Sequence, residues 1–255
     1  YDYWDDYPVD PSLYTVADLS STINLLVEID QTDLDEVEDN LLFWFDASNI
    51  TNRRNILLPF EKIDRILDLT GGFYHAEQLN EDYQPTYYSD AVSFNGSQVM
   101  SVPISLTDLD EGEVFFVLNI DDLDFYNYGY HNMSGGSSYE QLYSSDDGII
   151  YDVFGSTGIF SWVPTVDLTD THIYNMSSSV LWSSRINGIE NASFNQSKVN
   201  TSINFGSNVL IGKTLNNFWE SGYINEILFF DSELTVSQRS KITKYLSTKW
   251  NIFNV

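Results

Sequence analysis

Short apolar runs broken by polar turn residues dominate the pattern of this chain. From residue 41 onward, runs rich in Val, Ile, Phe, Tyr and Trp alternate with clusters of Gly, Asn, Asp and Ser. The runs are typical of strands and the clusters are typical of turns. The segment RRNILLPFEKIDRILDLTGG, residues 53–72, is compatible with a short helix, an irregular loop or a strand, and a clear amphipathic helix follows only after residue 235. The pattern therefore predicts an all-β domain built as a sandwich of two antiparallel sheets.

The first predicted strand is LLFWFDAS, residues 41–48, where both faces are apolar enough to be buried. The other runs, in chain order, are AVSFNGSQVMSV, EVFFVLNI, GIIYDVFG, GIFSWV, HIYNM, SVLWSSRING, KVNTSINF, NVLIG and YINEILFFD. In the last run, alternation predicts one shared face for Ile224, Glu226, Leu228 and Phe230.

One amphipathic helix follows that last strand. Thr235 and Gln238 have the spacing of an N-terminal capping box, in which two free backbone amides are satisfied. An apolar stripe at helical spacing is predicted to pack on the sandwich, and it consists of Ile242, Tyr245, Leu246 and Trp250. The helix also carries Arg239, Lys241, Lys244 and Lys249. We expect those near the C-terminal end to interact favourably with the helix dipole, and all four to offset the acidic chain.

The closing segment, residues 222–250, resembles the last strand and helix of laminin-G-like domains in the concanavalin A-like lectin and glucanase superfamily. LLFWFDAS is similar to the opening strand of that family, and the segment DLTGGFYHAEQLNEDYQPTYYSDAVSFNGSQVMSV to its loop and paired strands. RINGIENAS and NVLIG also match, in the expected order. The resemblance covers about residues 41–253 and implies a concanavalin A-like jelly-roll sandwich of two antiparallel sheets, with a short C-terminal amphipathic helix.

The domain boundary is predicted near residue 40. Residues 1–40 form an acidic N-terminal extension or arm with twelve acids and no Lys or Arg, and residues 41–255 form the sandwich domain. The formal net charge is −27, and eight of the eleven basic residues fall within residues 53–65 and 239–249. Nucleic acid and anionic membrane surfaces are therefore excluded as predicted partners. Membrane insertion is also not expected, because no apolar run is long enough to span a bilayer.

No arrangement of residues predicts catalysis. The acid-rich EIDQTD, residues 28–33, lies before the domain, and Glu111 and Glu113 bracket a Gly at a strand start, where a solvated edge is expected. His75, His131 and His172 lack partners at metal-ligand spacing, and the chain has no cysteine. We therefore predict that the chain is not an enzyme.

Calcium is the metal that the sequence favours, because members of the resembled fold often hold this ion at loops on the sandwich rim. The candidate loops are NIDDLDFYN and SSDDGII, and solvated turns are the alternative reading. The candidate ligands are Asp121, Asp122, Asp124, Asp146 and Asp147.

The loop DFYNYGYHNMSGGSSYEQLY is the most binding-like stretch of the sequence. Aromatic planes that can stack on a sugar ring occur there among Asn, Ser and Gly. The candidate glycan-binding residues are Tyr126, Tyr128, Tyr130, His131 and Tyr139. The alternative is a long ordered loop whose tyrosines pack on each other.

Three functions are compatible with these observations. The leading hypothesis is a non-enzymatic virion module, in a tail fibre, head fibre or capsid decoration protein, with glycan binding. A carbohydrate-binding adhesion module of a secreted bacterial surface protein comes second, and a glycoside hydrolase is a distant third. The predicted location is a virion surface or the extracellular space. Predicted partners are other virion or surface proteins through residues 1–40, a cell-surface glycan and a second copy of the chain.

Overall fold

The computed structural model of the chain describes residues 37–50, 60–88, 90–121, 127–134, 142–144, 148–155, 159–190, 196–197, 205–214 and 216–253. These residues form eighteen strands and one α-helix, α1 (Val236–Lys249). The strands are β1 (Leu41–Asp46), β2 (Arg65–Ile66), β3 (Ala76–Glu77), β4 (Thr86–Tyr88), β5 (Ala91–Phe94), β6 (Met100–Val102), β7 (Gly112–Ile120), β8 (Asn127–Tyr128), β9 (His131–Ser134), β10 (Leu142–Ser144), β11 (Ile150–Asp152), β12 (Phe160–Trp162), β13 (His172–Ser178), β14 (Leu181–Ile186), β15 (Ile189–Glu190), β16 (Gln196–Ser197), β17 (Phe205–Ile211) and β18 (Gly222–Phe230).

The strands form an all-β sandwich, as predicted. One layer is a nine-stranded sheet in the order β15-β14-β13-β7-β18-β5-β4, with β1 also on β18 and β16 also on β14. In the described part of the chain the opposite layer is divided into a five-stranded sheet, β2-β3-β6-β17-β9, and a four-stranded sheet, β12-β11-β10-β8. Paired strands are antiparallel throughout these sheets. No helix among the described residues is long and apolar enough to cross a membrane.

Side chains alternate between two cores along the central strand β7. Val114, Phe116 and Leu118 point into the large core between the layers. Phe115 and Val117 point to the outer face of the sheet, into a second core beneath α1. Because successive side chains of a strand face opposite ways, a strand that is apolar on both faces needs cover on both. The helix provides that cover on the outer face.

The partner strand β18 does not keep strict alternation. A register shift between Ile224 and Glu226 places Ile224 and Phe229 in the large core, and it leaves Leu228 in the core beneath α1. The prediction that Ile224 shares a face with Leu228 is therefore wrong. The irregularity in the strand pairing interrupts the alternation, so that residues on its two sides that are an even number apart face opposite sides of the sheet.

The predicted helix and its cap are confirmed. Thr235 Oγ1 accepts a hydrogen bond from the Gln238 amide, and the Gln238 side chain accepts one from the Thr235 amide. Ile242, Tyr245 and Leu246 are buried against the sheet. Trp250 is partly buried and caps the end of α1.

Two buried carboxylates on the outer face of the nine-stranded sheet hold α1 in place. Both oxygens of Glu113 accept hydrogen bonds from the Arg239 guanidinium, at 2.6 and 2.8 Å. Glu226 accepts bonds from Trp44 Nε1 at 2.7 Å and from Trp250 Nε1 at 2.5 Å. These contacts join the two central strands to both ends of the helix.

The cations of these pairs correct two expectations drawn from the sequence. Glu113 is fully buried and does not lie on a solvated edge. Arg239 is paired with it, and Lys249 Nζ lies 2.9 Å from Glu226 and 2.7 Å from Asp46. Although burial disfavours the Lys249 ammonium, Glu226 and Asp46 raise its pKa. Arg239 and Lys249 thus form specific pairs with buried acids and do more than offset surface charge.

Burial should decide how much an ion pair stabilises this fold. We expect Glu113→Gln to lower the free energy of unfolding by about 3–5 kcal/mol, because it leaves a buried guanidinium without its main carboxylate. The control is Glu77→Gln, whose pair with Arg65 is as short, 2.5 Å, but is more than a third exposed. That change should cost about 1 kcal/mol or less. Urea unfolding followed by tryptophan fluorescence measures both, and equal losses would contradict the assignment.

Candidate functional site

The structure describes part of the aromatic loop that the sequence singled out. Tyr126 and Tyr139 lie outside the described residues, and Tyr128 lies in β8 with a side chain that is not described. Their role in glycan binding stays a prediction.

Tyr130 and His131 are buried in the large core. The Tyr130 hydroxyl donates to Asp152 Oδ2 at 2.6 Å, and the His131 ring stacks on Phe116 with centroids 5.4 Å apart. Neither side chain has measurable exposure, so neither ring offers a face to a sugar. The sequence placed both in a surface loop because Gly and Asn surround them, but β9 carries His131 inside the sandwich.

The acidic residues proposed as calcium ligands are only partly described. Asp121 is exposed and accepts a hydrogen bond from Ser221 Oγ at 2.5 Å. Asp122, Asp124, Asp146 and Asp147 lie outside the described residues. Within the described ranges no group of three or more His, Asp or Glu side chains could hold a metal ion. The calcium hypothesis stays a prediction.

A polar centre inside the core explains several of the tyrosines. Asp152 Oδ2 accepts hydrogen bonds from Tyr130 and Tyr174, and Oδ1 accepts from the amides of Val153 and Phe154. Burial and the Asp152 charge raise the pKa of both tyrosines well above the usual value. These hydroxyls therefore act as structural donors to a buried carboxylate.

His172 belongs to the same interior. Its Nδ1 lies 2.7 Å from the Asp170 carbonyl oxygen, which can only accept, so Nδ1 carries the proton. In a neutral ring Nε2 then accepts from the Tyr143 hydroxyl, 2.5 Å away. Burial lowers the pKa of His172 to about 4, and that of His131 to about 3. Both rings are neutral near pH 7.

The described part of the surface carries a cationic cleft of about 580 Å³ between α1 and the hairpin of β14 and β15. We call it the arginine cleft. Its charged lining groups are Arg185, Glu190, Arg239 and Lys244, three cations and one carboxylate. Three cations in one cleft stand out in a chain of formal charge −27, although Arg239 is also paired with the buried Glu113 and lies 3.6 Å from Glu233.

Both arginines of the cleft are held by the strands beneath them. Arg185 donates to Asn175 Oδ1 at 3.0 Å and to Ser183 Oγ at 2.6 Å, and Glu190 lies 3.6 Å away. Arg239 uses Nε and Nη2 for Glu113. Within the described residues, Nε of Arg185 and Nη1 of Arg239 donate to no protein group. Burial and the neighbouring Arg239 charge lower the pKa of Arg185, which still remains protonated at neutral pH.

Neutral polar groups and two apolar side chains complete the lining. Asn187, Ser240 and Thr243 contribute an amide and two hydroxyl groups. Ile189 and Val236 are 64% and 80% exposed at the rim. A concave site of this volume, with a few converging polar donors and apolar walls, is typical of small-ligand binding. Arginine and lysine side chains in such a site favour a ligand that carries an anionic group.

Sequence reasoning missed this cleft. The segment RINGIENAS was used only as a fold marker, and the helix cations were assigned to charge balance. The sequence did contain one indication of the site. Arg185 is the one basic residue in a run of Ser and apolar residues, and it lies far from the two basic segments. A lone cation in a buried strand requires polar partners, and it is worth examining as a site residue.

Comparison with known proteins identifies the fold of this chain but assigns it to no family. No protein-family model and no curated protein matches the chain. Trypanosoma rangeli sialidase aligns over 94% of this chain and 40% of its own, with 11% identity and a TM-score of 0.62. The same sialidase in complex with sialic acid aligns over 92% of this chain and 40% of its own, with 10% identity and a TM-score of 0.61. The botulinum neurotoxin serotype D ligand-binding domain in complex with N-acetylneuraminic acid aligns over 84% of this chain and 52% of its own, with 14% identity and a TM-score of 0.58.

These matches correct the prediction that the chain is not an enzyme. That prediction, drawn from the lack of a catalytic arrangement of residues, is wrong, because sialidases match the fold over more than nine-tenths of this chain. The chain spans only about two-fifths of the sialidase and about half of the toxin domain. At such low identity the likeness shows the fold alone, and fold does not separate catalysis from binding. None of these matched proteins supports the predicted virion role.

The two buried histidines predict acid lability. An unfolded imidazole takes up a proton near pH 6.5, whereas folded His172 does so only near pH 4. The unfolded state therefore binds the proton first, and stability falls as the pH drops from 6.5 to 4. At pH 5 this loss should be about 2 kcal/mol for His172.

The test compares wild type with His172→Gln by urea unfolding at pH 7.5 and pH 5.0. Both chains carry the same carboxylates, so the difference between their pH dependences isolates the imidazole. The variant should lose about 2 kcal/mol less than wild type on acidification, whatever its stability at pH 7.5. Identical pH dependence would refute the buried neutral ring.

Proposed function

We propose that this chain is a glycan-binding module whose arginine cleft recognises a sugar bearing a carboxylate. The observation that carries the proposal is the Arg185 and Arg239 pair, two buried guanidinium groups with unused donors in one cleft. Arginine pairs with carboxylates through charge-assisted hydrogen bonds, which are about twice as strong as neutral ones. A carboxylate between the two side chains would meet both sets of donors.

The remaining lining suits a saccharide better than a simple anion. Asn187 Nδ2 can donate to a sugar hydroxyl, and the Ser240 hydroxyl can donate or accept. Thr243 Oγ1 donates to the Arg239 carbonyl at 2.9 Å and can still accept a hydrogen bond. Ile189 and Val236 offer exposed methyl groups to the apolar face of the ring or to an N-acetyl group. A long polyanion is disfavoured, because the formal charge of −27 repels phosphates beyond the cleft.

The matched structures support the same ligand class. Two of them contain sialic acid or N-acetylneuraminic acid, sugars that carry a carboxylate. Attachment to a cell-surface glycan, from a secreted or virion surface protein, is the wider setting that the sequence predicted, and it remains part of the proposal.

Titration calorimetry with N-acetylneuraminic acid and with its methyl ester tests the role of the carboxylate. The acid should bind and the ester should bind at least tenfold more weakly, because the ester lacks the charge that the guanidinium groups recognise. Equal binding of acid and ester, or binding of neither, would overturn the proposal.

Arg185→Gln should weaken binding of the acid by about 10- to 100-fold, the loss of one to two charge-assisted hydrogen bonds. Arg65→Gln is the matched control, since Arg65 lies in a surface pair on the opposite sheet and should leave binding unchanged. Should Arg185→Gln fail to fold, Lys244→Gln at the exposed rim should still reduce affinity by about two- to fivefold. Wild-type affinity in folded Arg185→Gln or in Lys244→Gln would count against the site.

A further inference from the structure

A second cleft of about 530 Å³ lies beside the arginine cleft, at the C-terminal end of α1. We call it the aromatic cleft. It is lined by Asp167, Asp170, Asn187, Trp250, Asn251 and Phe253 together with threonine and apolar side chains. Asn187 lines both clefts, so the two lie on either side of one residue along the flank of the helix.

Asn187 is fixed between the clefts. Its amide N–H donates to the Ile173 carbonyl, and its side-chain Oδ1 accepts from the Ile173 amide, both at 2.9 Å. These bonds hold a residue with a φ of 50°, in the left-handed region, at the turn after β14. Its Nδ2 donates to no other described residue, which leaves it as a rigid donor at the junction.

The two clefts have opposite charge. The arginine cleft is lined by three cations and one carboxylate, whereas the aromatic cleft is lined by Asp167 and Asp170 and by no Lys or Arg among the described residues. His172, at its base, has a pKa lowered to about 4 by burial and is neutral at pH 7. An anionic group is therefore favoured on one side of Asn187 and disfavoured on the other.

Aromatic side chains give the second cleft the character of a neutral sugar site. Phe253 is 72% exposed at its rim, and an exposed ring can stack on the apolar face of a pyranose. Trp250 is held by the bond from its Nε1 to Glu226 at 2.5 Å. Asp170 and Asn251 supply acceptors and a donor for hydroxyl groups.

We propose that the two clefts form one groove for an oligosaccharide, in which an acidic sugar occupies the arginine cleft and the adjoining neutral sugar stacks on Phe253. This inference rests on the proposed function and adds the size and the direction of the ligand. Each cleft is large enough for a small ligand on its own. The junction at Asn187 and the opposite charges determine which unit of the chain occupies which cleft.

The experiment compares N-acetylneuraminic acid with 3′-sialyllactose, in which a neutral galactose adjoins the acidic sugar. Wild type should bind the oligosaccharide about tenfold more tightly than the monosaccharide, because the second cleft adds contacts. Phe253→Ala should remove that gain and leave monosaccharide affinity unchanged. Phe73→Ala, at a phenylalanine that is 86% exposed and lines neither cleft, is the control and should retain the gain.

The outcomes separate this inference from the proposed function. If wild type binds both ligands equally, or if Phe253→Ala keeps the tenfold gain, the groove is refuted while acidic-sugar binding stands. If wild type binds neither ligand, both proposals fail. If Arg185→Gln loses both ligands and Phe253→Ala loses only the gain, the two clefts act as proposed.

Discussion

The position of α1 depends on two carboxylates that the central strands bury on their outer face. Glu113 and Glu226 lie where apolar side chains would otherwise meet the helix, and a buried carboxylate is costly unless cations and donors surround it. Arg239 and Lys249 supply the cations, and Trp44 and Trp250 supply further donors. The helix can therefore satisfy both acids in only one placement, which fixes its axis relative to the sheet.

This placement also creates the candidate site. The arginine cleft exists because α1 lies at a fixed distance from the hairpin of β14 and β15, and the aromatic cleft lies where the same helix ends. Arg239 serves both purposes, since Glu113 and the Leu234 carbonyl oxygen hold its Nε and Nη2 atoms and the residue also lines the cleft. A guanidinium held in this way loses little conformational freedom when it binds a ligand, so preorganisation contributes to affinity.

Local chemistry explains what the sequence predicted. The capping box, the helical stripe and the apolar strands each depend on neighbours within a few residues, and the structure confirms them. The ladder irregularity in β18 and the pairing of Glu113 with Arg239 depend on residues more than one hundred positions apart. The arginine cleft has the same origin, because β14 and α1 meet only in the folded sandwich. Tyr130 and His131 were wrongly predicted to be exposed, because their neighbours in sequence are polar. Both side chains are buried in the folded sandwich.

The overall charge and the local charge act over different distances. At physiological salt the field of an exposed acid is screened within about 8 Å, so the formal charge of −27 opposes the approach of anions without reaching a group already inside the cleft. Inside it, low exposure and fixed guanidinium donors strengthen short-range contacts. The proposed ligand would therefore bring its carboxylate to the arginines on a small molecule that carries no other charge. A single acidic sugar on a neutral glycan meets that requirement, whereas a polyanion does not.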